Sequence, residues 1–181
     1  MLLPSAPGAP IFLIGFMGSG KTTVGGLLAD RLHRRFIDLD AWISQESGRS
    51  VTEIFAQEGE AGFRSRETNA LKSTAQISRS VVSTGGGAAC LEENLQMMLN
   101  TGPVIALLVS ATEALKRTGR HSGRPLLDHG DPLVAARKLL RQRKLFYERA
   151  DLRIETDGQT PEVIVSKILV DLNLQAVQES A

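Results

Sequence analysis

The hydrophobic positions of the chain fall into two patterns that alternate from one end to the other. Short, nearly continuous apolar runs are typical of strands buried on both faces of a parallel sheet. Residues 11–14 and 103–109 are such runs, and further strands are predicted at residues 36–40, 80–84 and 152–155. Between them, apolar residues recur with helical spacing, as in Val24, Leu28 and Leu32. Helices are predicted at residues 21–33, 41–46, 50–55, 61–75, 92–100, 112–118, 132–150 and 161–172.

This order of elements predicts the architecture. Strands that alternate with helices favour a five-stranded parallel sheet covered on both faces, which is a three-layer α/β/α sandwich. In such sheets, ligands bind at the carboxyl ends of the strands. Three unusual segments, residues 15–21, 38–40 and 85–87, fall at such ends. They are therefore the first candidates for a binding site.

Composition and charge narrow the classes of function. The 181 residues suffice for one domain, and the single cysteine, Cys90, excludes a disulfide framework or a cysteine-based metal site. The net charge of +1 argues against a general nucleic-acid binder. Residues 113–153, however, hold eleven Lys/Arg against five Asp/Glu, which favours a small anionic ligand.

Targeting signals are absent from the sequence. The first ten residues hold three prolines and no basic segment, and no apolar run reaches membrane-spanning length. We therefore expect a cytoplasmic protein without membrane partners, with a disordered leader at residues 1–10 and a short tail at residues 175–181.

The segment after the first strand carries a phosphate-binding motif. Residues 15–22 read GFMGSGKT and fit G-x-x-x-x-G-K-[ST]. The glycines would let backbone N–H groups cradle phosphate oxygens, next to the positive end of the following helix. Lys21 is predicted to reach the β- and γ-phosphates of ATP, and the Thr22 hydroxyl to coordinate Mg²⁺. The alternative is a glycine-rich turn with an exposed lysine. A turn that is only structural would not require Lys21 to be followed by Thr22.

Two aspartates follow the second apolar run. If Asp38 and Asp40 both end that strand, their carboxylates point to the same side, about 7 Å apart. Asp38 is then a candidate Mg²⁺ ligand. Asp40 is a candidate to hold substrate hydroxyls and accept the proton of the attacking one. The alternative is a helix N-cap at Asp40 with a solvated Asp38.

A third glycine segment, residues 85–87, follows a strand. Three glycines cost conformational entropy, so we predict a close approach of a ligand to the backbone. The alternative is a tight turn that needs positive φ.

Arginines supply the remaining candidates. Arg64, inside a helical pattern, offers a fork of donors for a substrate carboxylate, although an ordinary surface arginine fits equally well. Arg117, Arg120 and Arg124 lie in or near a basic loop at residues 119–129, which is suited to close over phosphates. Arg143 on the next helix adds to the same charge. The alternatives are a solvated loop and a solvated helix face.

Taken in order, these motifs resemble shikimate kinase over about residues 11–172: P-loop, D-x-D, G-F-R, G-G-G, R-P-L-L and a basic helix ending in tyrosine. The resemblance implies a P-loop fold like that of nucleoside monophosphate kinases. It implies that the γ-phosphate of ATP is transferred to the 3-hydroxyl of shikimate with the help of Mg²⁺. It also implies a single domain at residues 11–174, with a substrate-binding segment at about 43–71 and a lid at about 113–129, and we expect a monomer.

The resemblance also implies a role for each matched residue. The catalytic residues are Lys21, Asp40 and Arg124. The ATP-binding residues are Gly18, Ser19, Gly20, Lys21, Thr22, Thr23, Arg117 and Arg124. The shikimate-binding residues are Asp40, Phe55, Phe63, Arg64, Gly85, Gly86, Gly87 and Arg143, with Pro125 and Leu126 completing the apolar wall. The Mg²⁺ ligands are Thr22 and Asp38.

Two rival functions remain open. One is another small P-loop kinase, acting on a sugar acid such as gluconate or on a nucleoside monophosphate. The other is a shikimate-sensing module without turnover. Such a module would usually lack the P-loop lysine or the candidate base, but Lys21 and Asp40 are both present.

Overall fold

Five parallel strands form the centre of the fold. The computed structural model describes residues 8–119 and 131–173. The strands are β1 (Ile11–Gly15), β2 (Arg35–Asp38), β3 (Ser80–Ser83), β4 (Val104–Leu108) and β5 (Leu152–Glu155). Their order across the sheet is β2-β3-β1-β4-β5, and every neighbouring pair is parallel. The predicted sheet is confirmed, and β1 at its centre is buried along its whole length.

Helices cover both faces of the sheet. They are α1 (Lys21–Arg31), α2 (Leu39–Ser47), α3 (Val51–Thr74), α4 (Glu92–Thr101), α5 (Ala111–Thr118), α6 (Pro132–Tyr147) and α7 (Pro161–Asp171). One hydrophobic core lies between the sheet and α1 with α7. A second lies on the opposite face, against α3, α4, α5 and α6. These two cores give the predicted three layers.

The second strand is shorter than predicted. It ends at Asp38, whose side chain accepts a hydrogen bond from the backbone N–H of Ala41 and so caps α2. Asp40 therefore lies in the first turn of a helix and does not end the strand. The prediction that both carboxylates leave one strand on the same side is wrong, because a local capping bond ends β2 two residues early. Because the N-cap residue of α2 is Asp38, the alternative of an N-cap at Asp40 is also wrong.

The helices predicted at 50–55 and 61–75 are parts of one element, α3, with a break inside it. Ser50 caps its start in a capping box with Glu53. At Gly59 the backbone leaves the helical region, with φ 69° and ψ −175°. The chain therefore changes direction at this glycine and continues as a helix on both sides.

Residues 8–10, which were predicted to belong to a disordered leader, pack against the domain, whereas residues 1–7 of that leader and the predicted tail lie outside the described residues. The backbone oxygens of Gly8 and Ala9 accept hydrogen bonds from the Arg79 N–H and the Arg34 guanidinium, and Pro10 is buried. Residues 8–10 therefore belong to the folded domain. No helix in the described ranges combines the length and hydrophobicity that crossing a membrane would require.

Candidate active site

The turn between β1 and α1 forms a cradle with its lysine folded inward. Lys21 Nζ donates hydrogen bonds to the carbonyl oxygens of Gly15 and Phe16, both at 2.9 Å. Gly20 caps α1 at φ 92°, in the left-handed region that favours glycine. Ser19 is fully buried beneath the turn. The first turn of an α-helix offers backbone N–H groups that its own carbonyls do not accept, so the start of α1 favours binding of an anion.

A hydroxyl and a carboxylate meet beside this cradle. Thr22 Oγ1 donates a 2.9 Å hydrogen bond to Asp38 Oδ2, so the start of α1 is joined to the end of β2. The capping bond from Ala41 holds the other carboxylate oxygen of Asp38. The two predicted metal ligands are therefore neighbours, although they lie 16 residues apart in the chain.

A cavity of about 510 Å³ opens at the carboxyl ends of the strands. It brings together most of the predicted site residues from six separate segments. Its lining includes Gly18, Gly20, Lys21, Thr22, Thr23, Asp38, Asp40, Phe55, Phe63, Arg64, Gly85, Gly86, Gly87, Arg117 and Arg143. Arg120, Arg124, Pro125 and Leu126 lie outside the described residues, as does most of the predicted lid.

Each glycine of residues 85–87 leaves room for a charged side chain. The nearest charged atoms to a Cβ built at the three positions are, in order, Glu67 Oε1, Arg143 Nη1 and Arg64 Nη2. The distance is 3.4 Å at Gly86 and only 2.6 Å at Gly87, and the overlap is greater still at Gly85. None of the three has a positive φ, so the alternative of a turn that needs one is wrong. A side chain at Gly85 or Gly87 would therefore displace Glu67 or Arg64 from its position.

Arg64 is held by two carboxylates on its own helix. Its Nη1 lies 2.7 Å from Glu67 Oε2, and its Nη2 lies 3.1 Å from Glu60 Oε1. Burial alone would lower the pKa of the Arg64 guanidinium, but Glu67 and Glu60 outweigh it and raise that pKa. Arg64 therefore stays charged while it faces the cavity, and its alternative as an ordinary surface arginine is wrong.

Glu67 is a site residue that the sequence analysis missed. Its side chain is fully buried, and its Oε1 has no hydrogen-bond partner among the described residues. Burial raises the pKa of the Glu67 carboxyl, Arg64 opposes this, and the nearby charge of Asp40 raises it further. The only signal in the sequence was its position three residues after Arg64 on a predicted helix. Because such pairs are usually solvated, that signal was too weak to select Glu67.

Arg143 is held by a backbone oxygen and not, like Arg64, by carboxylates. This buried side chain donates a 2.8 Å hydrogen bond to the backbone oxygen of Gly86, and its guanidinium lies 5.6 Å from the Phe16 ring. Tyr147 Oη donates to the same oxygen at 2.9 Å, and burial raises the pKa of this phenol. One backbone oxygen thus positions two side chains of α6.

Arg117 is fixed beside the P-loop. Its Nε donates to Glu113, and its two terminal nitrogens donate to Thr156 at 2.7 Å and 3.2 Å and to the Gly18 backbone oxygen at 3.2 Å. These bonds lie in the plane of the guanidinium. The hydrogen bonds engage the edges of the guanidinium and fix the orientation of its flat face. This flat face is the surface that stacks on an aromatic ring.

Phe55 and Phe63 supply an apolar wall. Their ring centroids lie 4.6 Å apart, and the Arg64 guanidinium lies 5.5 Å from the Phe63 centroid. The wall therefore stands directly beside a cation, as a site for an apolar ring with a carboxylate requires.

A P-loop on a five-stranded parallel sheet, with a hydroxyl–carboxylate pair beside it and an arginine-lined cavity in front of it, defines a P-loop kinase. Comparison with known proteins identifies the family. The profile of the shikimate kinase family matches residues 17–173. The chain is 44% identical to the shikimate kinase of Synechococcus elongatus over 169 residues, which cover 93% of this chain and 88% of that relative. It is 43% identical to the shikimate kinase of Geobacter metallireducens, over 87% and 88% of the two chains.

A solved structure agrees with these relatives. Shikimate kinase from Acinetobacter baumannii in complex with shikimate superposes with a TM-score of 0.87 at 38% identity, over 91% of this chain and 93% of that one. The chain belongs to the shikimate kinase family, and the resemblance drawn from the sequence motifs is confirmed.

Proposed function

We propose that this chain transfers the γ-phosphate of ATP to the 3-hydroxyl of shikimate. The observation that carries the proposal is the order of charged groups along the glycine turn. Asp40 Oδ1 lies 3.1 Å from a Cβ built on Gly85, Arg143 lies against Gly86 and Arg64 lies against Gly87. Three consecutive residues span at most about 10 Å. An acid for hydroxyls and two cations for a carboxylate therefore lie within the length of one small ring acid.

The phosphate end of the cavity supports ATP as the donor. The P-loop amides and Lys21 hold the phosphates, and Lys21 exchanges its bonds to Gly15 and Phe16 for phosphate oxygens. The flat face of Arg117 stacks on the adenine. Both roles follow from groups already oriented toward the cavity.

Thr22 and Asp38 fit a magnesium site. Neighbouring ligands of an octahedral Mg²⁺ at about 2.1 Å lie about 3 Å apart, and the Thr22 and Asp38 oxygens are separated by 2.9 Å. Mg²⁺ typically takes one or two protein oxygens and completes its shell with phosphates and water. When bound, the ion supplies positive charge to the phosphate oxygens during transfer.

The chemical step rests on positioning and charge. Arg64 and Arg143 bind the carboxylate of shikimate, and Phe55 with Phe63 covers its ring. Asp40 binds the hydroxyls, orients the attacking one and accepts its proton late in the transfer. The resemblance assigns stabilisation of the transferring phosphoryl group to Arg124.

We further propose that residues 43–71 bind the acceptor, with Phe55, Phe63 and Arg64 as the support, and that the protein is a cytoplasmic monomer. The net charge of +1 supports the absence of a nucleic-acid partner.

A coupled assay of ADP release tests the function. The purified chain is given MgATP with shikimate, with gluconate, with AMP or with no acceptor, and we expect release with shikimate alone. Asp40→Asn and Lys21→Met are then expected to lower turnover by about 10²-fold or more while the fold is kept. Release with another acceptor would contradict the substrate assignment. Tight shikimate binding without release would instead indicate a sensing module.

A further inference from the structure

The break in α3 separates two helical segments, residues 51–58 and 60–74. Gly59 has φ 69°, and a Cβ built there would meet no atom within 4 Å. Crowding therefore does not demand glycine here. The backbone direction does, because residues other than glycine rarely adopt this conformation.

Two side-chain pairs bridge this break, and each joins residues eight positions apart. Phe55 and Phe63 pack with centroids 4.6 Å apart. Arg66 donates to both carboxylate oxygens of Glu58, at 2.7 Å through Nε and 2.9 Å through Nη2. In a continuous helix, residues eight positions apart are separated by about 12 Å along the axis. Both contacts therefore depend on the bend.

Glu58 binds two arginines, Arg66 and Arg49. Arg49, in the turn before α3, donates to Glu58 Oε1 at 2.8 Å, so the carboxylate ties three pieces of chain together. The Arg66 guanidinium, with help from Arg49, holds the pKa of the Glu58 carboxyl below its ordinary value. A Cβ on Gly62 would lie 2.5 Å from the Glu58 Cβ. Because Gly62 has no side chain, Glu58 can lie against the second helical segment.

We propose that Glu58, held by Arg66 and Arg49, is a positioning residue for acceptor binding. It fixes the bend at Gly59 and thereby holds Phe55 against Phe63, next to Arg64. Glu58 and Arg66 themselves do not line the cavity, as far as the described residues define it. This inference rests on the proposed role of the phenylalanines and Arg64 in binding shikimate.

Steady-state kinetics of Arg66→Ala and Arg66→Lys test the proposal. Arg66→Ala removes the fork, whereas Arg66→Lys keeps the charge but cannot bind both oxygens in the same way. We expect the KM for shikimate to rise about fivefold in Arg66→Ala, the upper range for a partly exposed ion-pair network. The rise should be smaller in Arg66→Lys, and kcat and the KM for MgATP should stay near their wild-type values in both.

Arg149→Ala is the matched control. Arg149 also binds both carboxylate oxygens of one glutamate, Glu92, at 2.6 Å and 2.8 Å, and neither residue lines the cavity that the described residues form, so its loss should leave both KM values unchanged. Urea unfolding followed by the fluorescence of Trp42, the single tryptophan, verifies that each variant is folded.

The outcomes separate this inference from the proposed function. If the wild type releases no ADP with shikimate, the proposed function fails before any variant is compared. With an active wild type, an unchanged shikimate KM in Arg66→Ala overturns the positioning role. An equal rise in both KM values, or the same rise in Arg149→Ala, overturns it as well, because the effect would then be general.

Discussion

Replacing Gly87 by alanine perturbs the position of Arg64 without changing that arginine itself. Gly87 has φ −110° and ψ −8°, which alanine adopts without backbone strain. The new methyl group would lie 2.6 Å from Arg64 Nη2 and 2.8 Å from Cζ and Nη1. The guanidinium must therefore retreat by about 0.8 Å, from 2.6 Å to the 3.4 Å of ordinary contact. This movement displaces the guanidinium relative to Glu67 Oε2, which lies 2.7 Å from Arg64 Nη1.

The size of the effect follows from the bond that is misplaced. A hydrogen bond to a charged group contributes about 1.5–3 kcal/mol, and each 1.4 kcal/mol is a factor of about ten in affinity. We therefore expect the KM for shikimate to rise about tenfold to a hundredfold in Gly87→Ala. The KM for MgATP should change far less, because the three atoms nearest to the added methyl group all belong to Arg64 and none to the P-loop.

The ADP-release assay, run over a series of shikimate concentrations, measures both constants. Gly26→Ala is the control, since a Cβ there meets no atom within 4 Å and the position is inside α1. This variant should keep wild-type kinetics and gain up to about 1 kcal/mol in free energy of unfolding, from the better helix propensity of alanine. A wild-type shikimate KM in Gly87→Ala would refute the assignment of Arg64 to the acceptor carboxylate.

Two further predictions concern other parts of the molecule. Arg117→Ala should raise the KM for MgATP about tenfold, since a cation stacked on a ring contributes about 1–2 kcal/mol; an equal rise in the shikimate KM would contradict the role in adenine binding. Hydrogen bonds from Arg149 lower the pKa of the Glu92 carboxyl to about 2. Because this folded-state pKa is depressed, Glu92 stabilises the fold above its ordinary pKa of about 4.5, and that stabilisation is lost as the pH falls toward 2. In urea titrations, Glu92→Gln should therefore be less stable than wild type at pH 7, by a difference that shrinks in acid; a constant difference would exclude the ion pair as its source.

The sheet could be predicted from the sequence because β1 and β4 lie in distinct apolar runs and the other short strands alternate with helical patterns along the chain. The same holds for the P-loop, whose motif sets both its spacing and its neighbours. The phosphate end of the site was therefore visible without coordinates.

The sequence-based predictions failed where one side chain ends a strand, as at Asp38, or where a distant segment buries a side chain, as at Glu67. Asp38 was predicted to lie inside a strand that continued to residue 40, yet its side chain caps a helix and ends the strand. Glu67 looked like one more charge on an amphipathic helix. Only the crossing of α3 beneath the glycine turn buries it, and a crossing between distant segments leaves no local pattern in the sequence.

The two arginines assigned to the acceptor differ in what holds them. Arg64 forms ion pairs with Glu67 and Glu60, whereas the Arg143 guanidinium donates to the uncharged Gly86 oxygen, lies over the Phe16 ring and interacts with Glu67 only through space. On the roles proposed above, the charge that attracts an arriving anion at long range would originate mainly from Arg143, and Arg64 would contribute directed hydrogen bonds at short range. Arg143 would thus attract the carboxylate and Arg64 would align it. The attraction by Arg143 should weaken with rising ionic strength, because salt screens charges at long range.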